Sequence, residues 1–227
     1  MCGRMSLFVD PDDLVDRFDA DLDFEYERRY NVAPGDELAV VPDDREDTIT
    51  RQDWGLVPSW ADDPDEGPRP INARGETVDE KPTFRDAFEH RRCLVLADGF
   101  YEWAGSRGSK RPYRVHLTGN EPFAMAGLWD RWENGSTIES VTVVTTDAND
   151  VVAPMHDRMP VILDPDAERE WLHADQSRAH ELLEPYGCDD LEAYPISTAV
   201  NDPANDSADV LLPADRGEQS DFGDFGA

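Results

Sequence analysis

Apolar positions along this chain fall into two periods. Between residues 11 and 20, Leu14, Val15 and Phe18 recur at helical spacing behind Asp12 and Asp13, acids that suit a helix N-terminus. Segments 82–90 and 166–186 also read as helices. Segments 37–42, 48–54, 111–117, 122–132 and 137–146 predict strands. Residues 93–103 (CLVLADGFYEW) predict one apolar strand ending in aromatics and an acid, and residues 105–109 a hairpin loop into the strand at 111–117. A short helix or turn is expected at 149–156, with further strands at 158–163 and 191–197. Strands dominate the middle and arrive in succession without regular helical crossovers. The expected fold class is α+β, a mainly antiparallel central sheet closed as a barrel and flanked by helices.

Length and charge sharpen this picture. The 227 residues suit one domain with a substantial core. From about Asn201 the chain turns acidic and rich in Gly, Ala and Ser, which predicts a domain over 1–200 and a flexible acidic tail over 201–227. Acids outnumber bases 51 to 21, for a formal net charge of −30, and Lys81 and Lys110 are the lysines among those bases. Six tryptophans argue for a packed core rather than disorder. An acid-rich, lysine-poor surface around such a core is the pattern of a protein kept soluble in concentrated salt, where charge repulsion is screened within a few ångströms. Net charge therefore reports the solvent and does not exclude nucleic acid. Cys2, Cys93 and Cys188 are too few and too scattered for a disulfide framework or a metal site, and no cofactor is expected. With no secretory signal and no apolar run long enough to span a membrane, the expectation is a cytoplasmic monomer.

The candidate chemistry lies in Met1-Cys2-Gly3-Arg4. Removal of Met1 would leave Cys2 with a free α-amine and a thiol on adjacent carbons, a 1,2-aminothiol. The amine can condense with an aldehyde, and the thiol can close onto the same carbon as a five-membered thiazolidine. An α-amine titrates near pH ~8, against ~10.4 for lysine, so a useful fraction is unprotonated at neutrality.

Seven short words stand out along the chain: MCGR (1–4), YNVAPG (30–35), WGLVPSW (54–60), INARGET (71–77), ADGFYEW (97–103), AGLWDRW (126–132) and HDRMPVIL (156–163). Taken in order, they closely resemble the SRAP family, the SOS-response-associated peptidases, over roughly residues 1–200. The resemblance implies an SRAP-like fold and a protein that recognises abasic sites in single-stranded DNA and captures them covalently through Cys2, joining the nucleoid when bound. It implies that Glu102, in the word GFYEW, is the catalytic acid, and a carboxyl among aromatics should have a raised pKa suited to proton shuttling. It implies that His156 assists opening of the deoxyribose ring and that Asn72 positions the N-terminal amine, since an amide offers both donor and acceptor. For DNA it implies phosphate contacts from Arg4, Arg74, Arg158 and Thr145, and base stacking or strand splaying by Trp103 and the loop around Asn31 and Pro34. Trp54, Trp60, Trp129 and Trp132 read as core, and His90, His116, His173 and His180 as surface or structural. The sequence departs from the family pattern at Gly35 and Gly75.

Two other functions stay open on the residues alone. One is a thiol peptidase, or a self-processing one, with Cys2 as nucleophile and His156 as base. The other is a non-covalent binding module for single strands or modified bases, which would bind intact without Cys2.

Overall fold

The computed structural model describes residues 2–106 and 109–214. Its first strands are β1 (Met5–Leu7), β2 (Asp21–Leu22), β3 (Arg29–Val32), β4 (Glu37–Pro42), β5 (Thr48–Trp54) and β6 (Asn72–Arg74). The middle of the chain supplies β7 (Arg92–Ala97), β8 (Gly99–Ala104), β9 (Arg111–Leu117), β10 (Phe123–Glu133) and β11 (Thr137–Asp147), followed by β12 (Arg158–Pro160), β13 (Ile162–Leu163) and β14 (Leu191–Pro195). Four helices pack outside: α1 (Pro11–Phe18), α2 (Pro82–His90), α3 (Pro165–His173) and α4 (Gln176–Glu181). Proline opens each of the first three helices, where its missing N–H costs no helical bond.

Strands β5, β4, β7, β10 and β11 are consecutive antiparallel neighbours, and a parallel pairing of β11 with β5 (Ser140 with Asp53, Val141 with Trp54) closes them into a five-strand barrel. The period-2 alternation decides what fills it. Val40, Trp54, Val95, Met125, Val141 and Val143 share one buried cluster with Cys2 and Met5. Leu94, Leu96, Ala124, Ala126 and Leu128 belong instead to a cluster with Leu14, Phe84, Phe88 and Trp171 from the helices. The run 93–97 is apolar without interruption because both of its faces are covered.

A second antiparallel sheet, ordered β14–β9–β8–β1–β3, leans on the barrel. Here the expected strand at 93–103 divides. The chain leaves the barrel at Ala97, turns at the buried Asp98, and enters the second sheet at Gly99. The Asp98 carboxylate accepts from Ser6 Oγ at 2.6 Å and from the Phe8 amide, and Arg114 Nη2 donates to its Oδ1 at 3.3 Å and to its backbone oxygen at 2.9 Å. These bonds offset the cost of taking its charge out of water. The expected strand at 158–163 divides too, since Arg158–Pro160 pairs with β11 and Ile162–Leu163 with β10. The segment 149–156 forms turns rather than a helix.

The expected tail does not leave the domain at Asn201. Val210 is buried beside Tyr101, Ile196 and Val200, and Asp206 pairs with Arg29 while accepting from the amides of Tyr30 and Asn31. Residues 215–227 lie outside the described residues. No helix among the described residues is long and apolar enough to cross a membrane.

Candidate active site

The four residues expected to carry the chemistry come from four separate stretches of chain. Cys2 precedes β1, which pairs with β8 through Met5–Phe100 and Ser6–Gly99, and Tyr101 N donates to Arg4 O at 3.0 Å. That register brings the start of the chain alongside the strand carrying Glu102. Asn72 opens β6, a three-residue strand too polar to pattern as one, held by its parallel pairing to Val143–Thr145 of β11. Its Nδ2 donates to Cys2 O at 2.8 Å, and its buried Oδ1 accepts no hydrogen bond among the described residues. His156 ends the turn stabilised by Asn149, whose side chain accepts from the amides of Val151 and Val152.

Electrostatics link the group. Burial pushes the Cys2 thiol far above its ordinary range, and the negative charge of Glu102 pushes it further. Glu102 is 3 % exposed, and burial raises its carboxyl above the ordinary carboxylate range, with His156 and Lys110 acting against that shift. The site thus holds a neutral thiol and a carboxyl able to exchange a proton nearer neutrality. His156 Nδ1 accepts from the Arg158 amide at 3.0 Å, which assigns the ring proton of the neutral form to Nε2. The Asp157 carboxylate lies 2.8 Å from the same Nδ1, but it is 88 % exposed, and a nitrogen that accepts from an amide has no proton to give it. Met1 lies outside the described residues.

The residues expected to touch DNA divide into two groups. Pro34 and Arg74 are exposed, and the Arg74 side chain has no hydrogen-bonded partner among the described residues. Gly35, beside Pro34, has φ +92°, and this left-handed turn accounts for glycine at that departure from the family pattern. Trp103 is half-buried, its Nε1 donating to Asn201 Oδ1 at 2.8 Å. The others serve the fold in this arrangement. Asn31 is fully buried, and its Nδ2 donates to Val200, Asp202 and Asn205 carbonyls. Arg4 donates to Asn31 Oδ1 at 2.7 Å and to the Val200 and Asn201 carbonyls, so it ties the chain start to the C-terminal segment. Thr145 is buried, with Oγ1 donating to Ala73 O at 3.3 Å. The Arg158 guanidinium is enclosed by Glu76, Asp147 and the Thr145 carbonyl.

Three features escaped the sequence reading. Trp60 is 62 % exposed, unlike Trp54, Trp129 and Trp132, although the backbone on either side of it is tied to the domain, with Ser59 N donating to Asp130 and Trp132 Nε1 to Ala61 O. The Asp98–Arg114 pair was visible only as one acid inside an apolar run. The Glu76–Arg158 pair joins residues 82 apart and left no local signal.

Comparison with known proteins identifies the family of the chain. Residues 1–203 match the family model described as SOS response associated peptidase (SRAP). The chain is 42 % identical to the abasic site processing protein YoaM of Bacillus subtilis, covering 93 % of this chain and 97 % of that protein. It is 31 % identical to the abasic site processing protein HMCES of Xenopus tropicalis, over 93 % of this chain and 78 % of that one. Among solved structures, a protein from Bacteroides thetaiotaomicron superposes with a TM-score of 0.86 at 26 % identity, covering 94 % of this chain and all of that one.

Proposed function

This chain belongs to the SOS response-associated peptidase family, and from that premise we propose that it processes abasic sites by trapping them covalently, in single-stranded DNA, through Cys2 once Met1 is removed. The observation that carries the reading is the bonding of Asn72 to the Cys2 backbone within electrostatic reach of the buried Glu102, with His156 acting on that same carboxyl. The relatives named as abasic site processing proteins support the substrate.

An abasic deoxyribose opens to an aldehyde. The Cys2 amine, accepted by the unfilled Asn72 Oδ1, attacks the aldehyde carbon and gives a carbinolamine. Glu102, whose burial favours its protonated form, gives its proton to the carbinolamine hydroxyl, which leaves as water and yields an iminium. The thiol then adds to the iminium carbon and passes its proton to the Glu102 carboxylate, closing the thiazolidine. The net change is loss of one water. Keeping the thiol neutral until this step suits the order, because the amine rather than a thiolate makes the first bond. Closure also removes the iminium that would otherwise promote β-elimination and strand cleavage. His156, with its proton on Nε2, is placed to assist ring opening as a donor. Arg74, Trp103 and Pro34 offer phosphate and base contacts.

The test is intact mass of the protein after incubation with a single-stranded oligonucleotide carrying one abasic site. A complex lighter than the sum of its parts by one water, and absent for Cys2→Ala, supports the reading. Protein lacking Met1 that stays unmodified overturns it.

A further inference from the structure

We propose that Glu76 and Arg158 form a positioning pair that holds His156 in one tautomer and ties its strand to the strand carrying Asn72, a role that rests on the function proposed above. The Arg158 side chain is 9 % exposed. Its Nη1 donates to Glu76 Oε1 and, at 2.6 Å, to Asp147 Oδ1. Its Nη2 donates to Glu76 Oε2 at 2.9 Å and to Thr145 O at 2.7 Å. The terminal hydrogens of the guanidinium are therefore committed, two of them in a fork to one carboxylate. A phosphate could reach this cation only by displacing Glu76.

What the pair holds is defined by the strand register. Thr145 of β11 stands opposite Arg74 of β6 on one side and Pro160 of β12 on the other. Glu76 follows β6 by two residues, and Arg158 opens β12. One ion pair thus spans three strands. Asn72 lies at one end of that span and His156 at the other, two residues before the arginine. The Arg158 amide fills His156 Nδ1, so the position of this residue's backbone decides which ring nitrogen keeps the proton. Releasing the side chain frees β12 to shift and loosens the amide from the ring.

The experiment compares wild type with Glu76→Gln in capture of an abasic oligonucleotide, and reads the ring-nitrogen NMR signals of His156 in both proteins without DNA. The expected result is a capture rate at saturating oligonucleotide about tenfold lower, the scale of effect that a small misplacement of a reacting group produces. The half-saturating concentration stays unchanged, and the His156 signals move from the Nε2–H pattern toward an average of the two tautomers. Unchanged rate and signals overturn the proposal. So does a lower half-saturating concentration at unchanged rate, which would make Glu76 a shield over a phosphate subsite. Should Glu76→Gln not fold, Asp147→Asn removes a carboxylate that is 81 % exposed from the same guanidinium and is read the same way. If the wild type forms no adduct, the proposed function fails, and the His156 signals still decide whether the pair sets the tautomer.

Discussion

Gly99 stands where the chain passes from the barrel into the second sheet, and Gly99→Ala tests how much that passage matters. A Cβ built there meets Arg114 Nε at 2.9 Å and its Cζ and Nη2 at 3.0 Å. The far end of an arginine ordinarily moves aside cheaply. This one is 1 % exposed, with Nη1 on Asn120 Oδ1 at 2.6 Å and Nη2 on the Asp98 carbonyl at 2.9 Å. Moving the group strains those bonds and leaves the fully buried Asp98 short of its cation. Overpacking of a tight core costs about 1–3 kcal/mol, and breaking a buried ion pair about 3–5 kcal/mol. Partial relaxation places the sum near about 3 kcal/mol. For a chain of this size each kcal/mol moves Tm by about 2–4 °C, so a fall of about 6–12 °C is expected. The assay is thermal unfolding by circular dichroism in low and high salt, and the fall should persist in both because a buried pair is poorly screened. A fall smaller than about 2 °C would refute the reasoning, showing that the guanidinium is not held in place.

Glu102→Gln should slow capture at least about a hundredfold, the usual scale for loss of a general acid. The same change should stabilise the fold at neutral pH. Burial raises the folded-state pKa of this carboxyl, so the folded state binds the proton more tightly than the unfolded chain, and stability falls as pH rises from the ordinary carboxylate value through the raised one. Melting curves across pH should show the variant above wild type at neutrality and level with it below the ordinary carboxylate range. Arg74→Ala should weaken non-covalent oligonucleotide binding and reduce the slope of log affinity against log salt by about one, measured by fluorescence anisotropy, while leaving the capture rate at saturation near wild type.

How much of this could be read from the chain depended on whether a feature was local. Segments 37–42, 48–54, 82–90 and 111–117 coincide with their elements because period and flanking residues agree there. The strands Met5–Leu7, Arg29–Val32 and Asn72–Arg74 carry no such signal, since each is only three or four residues long and is held by partners far along the chain. Asp98 hid the break between β7 and β8 because one acid in an apolar run looks like a strand blemish until its partners Ser6 and Arg114 are placed. Cys2, Asn72, Glu102 and His156 were expected from the words around them, and the structure puts Asn72 on the Cys2 backbone and Glu102 within electrostatic reach of Cys2 and His156. Asn31 and Arg158 lie in the same words but turn inward. A motif marks where a residue sits in the chain; it does not distinguish a side chain facing the ligand from one that holds the ligand's neighbours.

The charge pattern gives this arrangement its physical sense. A chain with formal charge −30 repels a polyanion at low ionic strength, and added salt that relieves the repulsion also weakens each arginine–phosphate contact. The structure leaves few cations for such contacts in any case, because Arg4 and Arg158 are spent on carbonyls and carboxylates and Arg29 on Asp36 and Asp206. Arg74 remains as an exposed cation beside the site. A grip that rests on a few exposed cations such as Arg74 and Lys110 would fail across much of the salt range. A bond to the sugar carbon has no counterions to regain, so its persistence is independent of salt once it forms. On the proposed reading, the phosphate contacts need only present the aldehyde to Cys2, while the buried acid, amide and imidazole carry out the step that holds the strand.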